Sequence, residues 1–251
     1  MDSQWFRRFG EARFHDTRLI CFPHAGGSAG VFAPLSRRLS SRLDVLAVQY
    51  PGRQDRRRET PADDIVRLAE RIAEGLRGAD DRPYALFGHS MGALVAYETA
   101  RALERWGAPL PIRLFLSGRG APGPYPNPHD LLADDQAILA AVRSLGGTGA
   151  AVLDDPELVE MALPALRADY RALASYRWRP GGPLDIPVTA LTGRDDTVVP
   201  VTESARWEEF TRAGCELKVF PGGHFYLDRH LDAVAELLVS GAQDPVTQGG
   251  R

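Results

Sequence analysis

Apolar residues along this chain follow two alternating patterns. Short continuous apolar runs are typical of buried strands, and between them apolar residues recur every three or four positions, as on one face of a helix. The runs predict strands at 18–22, 43–50, 84–87, 113–117, 186–192 and 216–220. The recurring spacing predicts helices at 31–39, 65–76, 91–105, 202–213 and 227–239, the second of them capped by Thr60 or Asp63. This repeated order predicts an α/β chain with a mostly parallel central sheet flanked by helices on both faces.

The alternation breaks after residue 118. Residues 120–128 are rich in glycine and proline, and two helical stretches follow at 131–145 and 156–176 with no strand between them. An all-helical insertion in an alternating chain predicts a lid over the ends of the strands, where α/β proteins bind ligands. We therefore expect a helical lid insertion at residues 120–180.

Length and composition exclude several classes of protein. The 251 residues predict a single domain over 1–251, with a disordered tail at 241–251. A formal net charge of -3 argues against a nucleic-acid binder, and no apolar segment has the length of a signal peptide or a membrane span. Cys21 and Cys215 alone indicate no disulfide framework, which fits a reducing cytoplasm. We therefore expect a soluble, cytoplasmic protein, and we expect it to be a monomer.

The segment Gly88-His89-Ser90-Met91-Gly92 lies where the third predicted strand meets the third predicted helix. This is the setting of a nucleophile elbow, a tight turn that strains the serine backbone and presents its hydroxyl to a substrate. Ser90 is therefore the candidate nucleophile. The N–H group of Met91, at the positive end of the helix, is a candidate donor to an oxyanion. Without its strand and helix, the same segment would equally be an ordinary glycine turn.

A second glycine-rich turn, residues 23–30, follows the first strand. In a hydrolase with a serine elbow, such a turn supplies the second oxyanion donor, and the N–H group of Ala25 is our candidate. Read alone, the turn is a plain loop. Its occurrence together with the elbow favours the catalytic interpretation.

A serine hydroxyl needs a base, and an imidazole base needs a carboxylate that fixes its tautomer. His224 follows the last strand in a glycine-flanked loop, and the acid pair Asp195 and Asp196 follows the strand before it. We prefer Asp196 because it lies deeper in its turn. The order serine, aspartate, histidine is that of α/β-hydrolases. The alternative for His224 is a surface histidine, and weaker candidates for the base are His24, His89 and His129.

Together these segments resemble a known family, the free-standing type II thioesterases that accompany polyketide and nonribosomal peptide synthases. The resemblance covers about residues 19–238. The motifs that carry it are Phe22 to Ala29, Gln49-Tyr50-Pro51-Gly52-Arg53, the elbow, Gly193-Arg194-Asp195-Asp196 and Gly222-Gly223-His224-Phe225.

The resemblance implies an α/β-hydrolase fold with a helical lid. It also implies a serine hydrolase that removes acyl groups from the phosphopantetheine arm of acyl or peptidyl carrier proteins, and so edits stalled or aberrant short acyl chains. It supports Ser90, Asp196 and His224 as the triad, with Met91 and Ala25 as oxyanion donors. No metal cluster and no phosphate-binding loop are evident, so we expect no cofactor beyond the arm carried by the substrate protein.

The charged run that begins at Arg53 is the candidate docking surface for a carrier protein. Such runs are usually solvated loops. The resemblance implies acidic carrier proteins as partners, and electrostatic attraction would then favour a role for the basic members of the run. The candidate docking residues are Arg53, Arg56, Arg57 and Arg58.

Three other functions fit parts of the pattern. A general carboxylesterase or peptidase would use the same fold and triad. A cyclising terminal thioesterase, excised from a synthase, is disfavoured because the chain starts at Met1 with no carrier domain before it. A non-catalytic binding protein of this fold would normally lack a member of the triad, and none is missing here.

Overall fold

A computed structural model of the chain describes residues 4–10, 15–77, 81–132, 134–146 and 153–243. Within them, seven strands form one sheet in the order β1-β3-β2-β4-β5-β6-β7. The strands are β1 (Phe6–Arg7), β2 (Arg18–Phe22), β3 (Asp44–Val48), β4 (Tyr84–His89), β5 (Arg113–Ser117), β6 (Val188–Gly193) and β7 (Cys215–Phe220). The helices are α1 (Ala33–Leu39), α2 (Ile65–Leu76), α3 (Met91–Arg105), α4 (Asp135–Leu145), α5 (Pro156–Ser175), α6 (Val201–Ala205) and α7 (Leu231–Gln243).

The sheet is parallel from β3 to β7, which confirms the predicted class. Successive residues of β2 enter opposite cores: Ile20 packs with α2 and α3, and Leu19 packs with α1 and α7. Both faces are therefore covered, and this explains why the strands read as continuous apolar runs. The edge strand β1 was not predicted. It has two residues, too few for a periodic pattern, and pairs antiparallel with β3.

The strand order reverses between β2 and β4. After β2 the chain crosses to β3 on one side, and it later returns to β4 on the other side of β2. Loops that leave the carboxyl ends of two such strands diverge, and the crevice between them is where open α/β sheets bind ligands. The two glycine-rich turns predicted to carry catalysis are these two loops.

Several helix boundaries differ from the prediction: α4 begins at Asp135 rather than at 131, and α7 begins at Leu231 rather than at 227. The helix α2 is capped by Asp64, whose side chain accepts the N–H of Arg67 at 2.9 Å, rather than by Thr60 or Asp63. The helix predicted at 202–213 is shorter: α6 ends at Ala205 and a 3₁₀ turn follows over Arg206–Phe210.

At the C-terminus, α7 extends to Gln243, so residues 241–243 are helical and not part of a tail. The remainder of the predicted tail, 244–251, lies outside the described residues, as do residues 147–149 of the glycine run between α4 and α5. None of the described helices combines the length and the hydropathy needed to cross a lipid bilayer.

The inserted helices α4 and α5 differ in how firmly they are packed. Helix α5 buries seven residues, among them Leu166, Asp169 and Leu173, whereas α4 buries only Ile138. Since buried apolar area supplies most of the local stability, α5 is the anchored element of the insertion and α4 the lightly held one.

Candidate active site

Ser90 occupies the tight turn between β4 and α3. Its backbone has φ 56° and ψ −120°, and Gln54 is the only other described non-glycine residue with a positive φ. A conformation of this kind costs about 1–3 kcal/mol and persists only where the surroundings enforce it. Here the N–H of Ser90 donates to the carbonyl of Ser117 on the neighbouring strand at 2.8 Å. The turn is therefore the strained elbow that the sequence predicted.

The two glycines of the elbow are required sterically. A Cβ atom on Gly88 would lie 2.2 Å from the carbonyl oxygen of Gly92, and a Cβ on Gly92 would lie 2.0 Å from that of Phe22. Contacts this short do not occur between real atoms, so only glycine allows β4, α3 and the end of β2 to approach one another here.

His224 and Asp196 form a buried pair. The Nδ1 atom of His224 donates to Oδ2 of Asp196 at 2.7 Å, and both side chains are almost fully buried. The other carboxylate oxygen, Oδ1, accepts the N–H groups of Val198 at 2.9 Å and Val199 at 3.1 Å. These bonds fix the carboxylate, which in turn fixes the imidazole with its Nε2 free to act as a base.

The neighbouring acid has a different environment. Asp195 is exposed, and its Oδ2 accepts the N–H of Gly222 at 3.2 Å. The structure therefore pairs His224 with Asp196 and not with Asp195, in line with the preference drawn from the turn.

Ser90, His224 and Ala25 line one cavity of about 90 Å³. The insertion covers this cavity, since the lining also includes Val142 and Leu145 of α4 and residues of α5. Met91 is the first residue of α3, so its N–H is one of those that a helix leaves without an intrahelical partner. The remaining lining residues are His24, Gly26, Gly146, Leu153, Ala162, Leu166, Tyr170 and Phe225.

Two further histidines lie beside His224. The ring centroids of His89 and His224 are 5.1 Å apart, and those of His24 and His89 are 6.1 Å apart. Burial, together with the nearby charge of His224, lowers the pKa of His24 to about 4 and holds the pKa of His89 well below 6.5. Groups with such pKa values are weak bases near neutral pH. His89 also bonds through Nδ1 to the hydroxyl of Ser117 at 2.9 Å.

The third weaker candidate for the base, His129, is exposed in the turn over Pro128–Asp130 and does not line the cavity of Ser90. His224 is therefore the histidine whose position and partner suit the role of base.

The docking prediction needs a correction. Arg53 and Arg56 are 5% and 4% exposed, so neither can meet a partner protein. Arg53 forms a buried ion pair with Asp169, and Arg56 pairs with Glu59 at 2.6 Å. The chain turns back at Gln54–Arg56 and directs these two side chains inward.

The other two arginines of the run remain candidates. Arg57 and Arg58 are exposed, and neither forms an ion pair with any residue that the structure describes.

Asp169 is a site residue that the sequence analysis missed. It lies on α5, one turn after Leu166 and one turn before Leu173 on the buried apolar face, and is 1% exposed. A carboxylate on the apolar face of a predicted helix is the signal that could have identified it, because buried charges require a partner.

No group of three histidine, cysteine, aspartate or glutamate side chains in the described ranges is arranged to hold a metal ion.

This chain is similar to several known proteins. The family described as Thioesterase domain matches residues 17–240. The probable cadicidin biosynthesis thioesterase of Streptomyces griseus is 47% identical over 232 residues, which are 92% of this chain but 64% of that relative. Thioesterase PikA5 of Streptomyces venezuelae is 44% identical over 225 residues, covering 89% of this chain and 80% of PikA5.

Two solved structures are also similar. The type II thioesterase BorB from the borrelidin biosynthetic cluster is 44% identical with a TM-score of 0.86, covering 97% of this chain and 99% of BorB. RedJ, from the prodiginine pathway of Streptomyces coelicolor, is 40% identical with a TM-score of 0.82, covering 90% of this chain and 86% of RedJ.

Proposed function

This chain belongs to the thioesterase family, and we propose that it is a type II thioesterase that hydrolyses acyl groups from the phosphopantetheine arm of acyl or peptidyl carrier proteins. In a polyketide or nonribosomal peptide pathway this reaction clears stalled or aberrant short acyl chains. The observation that carries the proposal is the buried pair of His224 and Asp196 at the cavity that also exposes Ser90 on its strained elbow.

The proposed reaction begins with attack on the thioester. The Oγ atom of Ser90 forms a bond to the carbonyl carbon while Nε2 of His224 takes its proton. The bond between carbon and sulfur then breaks, the electron pair leaves with sulfur, and the thiolate recovers the proton. Because a thiol has a pKa of about 8.5, its thiolate leaves with less need for a general acid than an amine would have.

The second half of the reaction restores the enzyme. A water molecule gives a proton to His224 and attacks the acyl group on Ser90, and the released serine oxygen takes that proton back. In both halves the negative oxygen of the tetrahedral intermediate is held by the N–H groups of Met91 and Ala25. This assignment is supported by the position of Met91 at the N-terminus of α3 and by the position of Ala25 at the same cavity as Ser90.

The proposed substrates are short acyl chains. The support is the volume of about 90 Å³ and the largely apolar lining that α4 and α5 contribute, including Val142, Leu145 and Leu166. A pocket with this lining favours an alkyl group and leaves a charged acyl chain without a partner.

The proposed partner is an acidic carrier protein, and its proposed contact is the pair Arg57 and Arg58. Both side chains are exposed in the loop after β3. The acidic residues nearby in sequence form ion pairs with other arginines, Asp55 with Arg7 and Glu59 with Arg56. The two guanidinium groups thus remain available to an acidic surface, where rim charges act mainly on the rate of encounter.

The test is release of acid from acetyl- and propionyl-loaded carrier protein, compared with the same acyl groups on free pantetheine and with a nitrophenyl ester. We expect faster turnover of the carrier-bound thioester, and its loss in Ser90→Ala. Hydrolysis of the nitrophenyl ester alone would indicate a general carboxylesterase instead. Carrier binding without turnover in the unaltered protein would indicate a non-catalytic binding protein.

A charge-reversed variant in the same assay tests the docking pair. Arg57→Glu with Arg58→Glu should raise KM for the carrier-bound substrate and leave the free pantetheine thioester unchanged. Arg37→Glu with Arg67→Glu, two exposed arginines that form no ion pair with any described residue, is the matched control for the change in net charge. An equal response of both substrates would exclude a docking role for Arg57 and Arg58.

A further inference from the structure

Asp169 connects the insertion to the loop that carries the proposed oxyanion donor. Its Oδ2 atom accepts the N–H of Gly26 at 2.6 Å and also the guanidinium of Arg53. Gly26 directly follows Ala25, so this bond fixes the peptide unit next to the N–H that would hold the oxyanion. A hydrogen bond to an ionised acceptor is shorter and stronger than one to a neutral acceptor, and the guanidinium of Arg53 on the same oxygen favours the ionised form.

A steric contact adds to this bond. Gly26 has φ +74°, and a Cβ atom at this position would lie 2.5 Å from Cδ2 of Leu166. Leu166 lies on α5 one turn before Asp169, so α5 packs directly against the backbone of Gly26. The same helix therefore sets the position of this peptide by an ionic hydrogen bond and by direct contact.

The segment Gln49 to Arg53 holds the other side of the same loop. Oε1 of Gln49 accepts the N–H of Ala29 at 2.8 Å, and Nε2 of Gln49 donates to the carbonyl of Arg53 at 2.9 Å. The hydroxyl of Tyr50 donates to the carbonyl of Pro23 at 3.1 Å. The loop is thus held from two sides, by the segment after β3 and by Asp169 of α5. Arg53 connects the two, because it lies in that segment and its guanidinium donates to Asp169.

Burial of the ion pair between Asp169 and Arg53 costs free energy of folding. Burial raises the pKa of the Asp169 carboxyl above its ordinary value, and the charge of Arg53 and the N–H of Gly26 oppose that rise. The Nε atom of Arg53 has no hydrogen-bond partner among the described residues. Apolar residues of similar volume often stabilise a protein as well as a buried ion pair does. We therefore expect this ion pair to serve the position of the loop at Gly26 more than the stability of the fold.

We propose that Asp169 is a positioning residue for the oxyanion hole, acting through the N–H of Gly26 on the adjacent N–H of Ala25. The proposal rests on the proposed function, since it assigns the oxyanion to Ala25. It ties catalysis to the location of α5: displacement of this helix releases Gly26 and with it the oxyanion donor.

The test compares two nearly isosteric double variants that both lack the ion pair. Arg53→Met with Asp169→Asn keeps an oxygen that accepts from Gly26, whereas Arg53→Met with Asp169→Leu has no acceptor. Removal of one oxyanion donor typically lowers kcat about 10²- to 10³-fold. We expect the leucine variant to lose about 100-fold in kcat relative to the asparagine variant on a free pantetheine thioester, with KM changed little.

A second readout separates positioning from general destabilisation. A trifluoromethyl ketone analogue of the acyl group forms a tetrahedral adduct with the serine, so its affinity reports the oxyanion hole. A non-reactive thioether analogue reports binding alone. The inhibition constant of the ketone should rise in parallel with the loss of kcat, while that of the thioether stays the same.

Equal kcat values for the two variants, or equal losses for the ketone and the thioether, would overturn the proposal. If the leucine variant does not fold, Asp169→Val with Arg53→Met provides a smaller side chain without an acceptor. The unaltered protein and a nitrophenyl ester are measured in parallel. Failure of the unaltered protein on thioesters would refute the proposed function, whereas the ester and the ketone would still report the effect of Asp169 on the oxyanion hole.

Discussion

Replacement of Asp196 by asparagine tests the proposed triad through hydrogen-bond geometry. In the structure, Oδ1 of Asp196 accepts the N–H groups of Val198 and Val199, and Oδ2 accepts from Nδ1 of His224. The two backbone donors should hold the amide oxygen on their side, because an amide NH₂ group has nothing to accept with. The NH₂ group then faces Nδ1 of His224, and the ring must carry its proton on Nε2. That tautomer cannot take a proton from Ser90.

The expected loss is large for activity and small for stability. The same change in a serine protease triad lowers kcat about 10⁴-fold, which corresponds to about 5 kcal/mol. The side chain keeps its size and its two backbone bonds, so the melting temperature should change by only a few degrees. Asp195→Asn is the matched control: its exposed carboxylate accepts only from Gly222 at 3.2 Å, and a surface change of this kind should alter kcat about twofold at most.

The assay is release of free thiol from acetyl-pantetheine under single-turnover conditions, which isolates the acylation of Ser90. Circular dichroism on the same samples establishes that both variants are folded. The argument is refuted if Asp196→Asn acylates within tenfold of the unaltered protein, or if Asp195→Asn loses as much activity as Asp196→Asn does.

Two further predictions concern the surroundings of the site. Gly92→Ala places a Cβ 2.0 Å from the carbonyl oxygen of Phe22, so the free energy of unfolding should fall by about 3 kcal/mol and the melting temperature by roughly 6–12 °C. Gly182→Ala, with no atom within 4 Å, should leave the melting temperature unchanged in the same calorimetric measurement. His24 has its pKa lowered from 6.5 to about 4, so the unfolded chain binds a proton at a higher pH than the folded chain does. Stability should therefore fall between pH 6.5 and pH 4 by up to about 3 kcal/mol from this group, and urea unfolding of His24→Asn across that range should show a shallower slope if the reasoning is right.

The features that the sequence predicted well are those set by local chemistry. The elbow around Ser90 needs a strand, a glycine pair and a helix within about twenty residues, and the local sequence indicates all three. Asp196 was preferred over Asp195 because it lies deeper in its turn. In the structure, the N–H groups of Val198 and Val199 donate to its carboxylate and hold it inside the turn.

The features that were missed depend on distant contacts. Arg53 was interpreted as a surface charge, but its partner Asp169 is 116 residues away. The position of Asp169 on an apolar helix face indicates that it needs a partner, but neither local segment indicates which residue that partner is. Arg56 is buried partly because its guanidinium lies 4.3 Å from the ring centroid of Trp5, in a segment whose short strand β1 has no periodic signal. Burial of a charged side chain is decided by tertiary structure, so a charged run alone predicts only exposure.

These contacts also determine which part of the insertion can open over Ser90. Helix α5 is held by the ion pair of Asp169, by Leu166 against Gly26 and, just beyond its end, by the hydroxyl of Tyr176, which donates to buried Glu98 at 2.8 Å. Helix α4 has a single buried residue, and its ion pair with α5, between Asp135 and Arg167, is exposed and contributes little. Displacement of α4 therefore costs less free energy than displacement of α5. Because α4 supplies part of the cavity wall, its movement would admit an acyl chain to Ser90 while α5 keeps the proposed oxyanion loop in place.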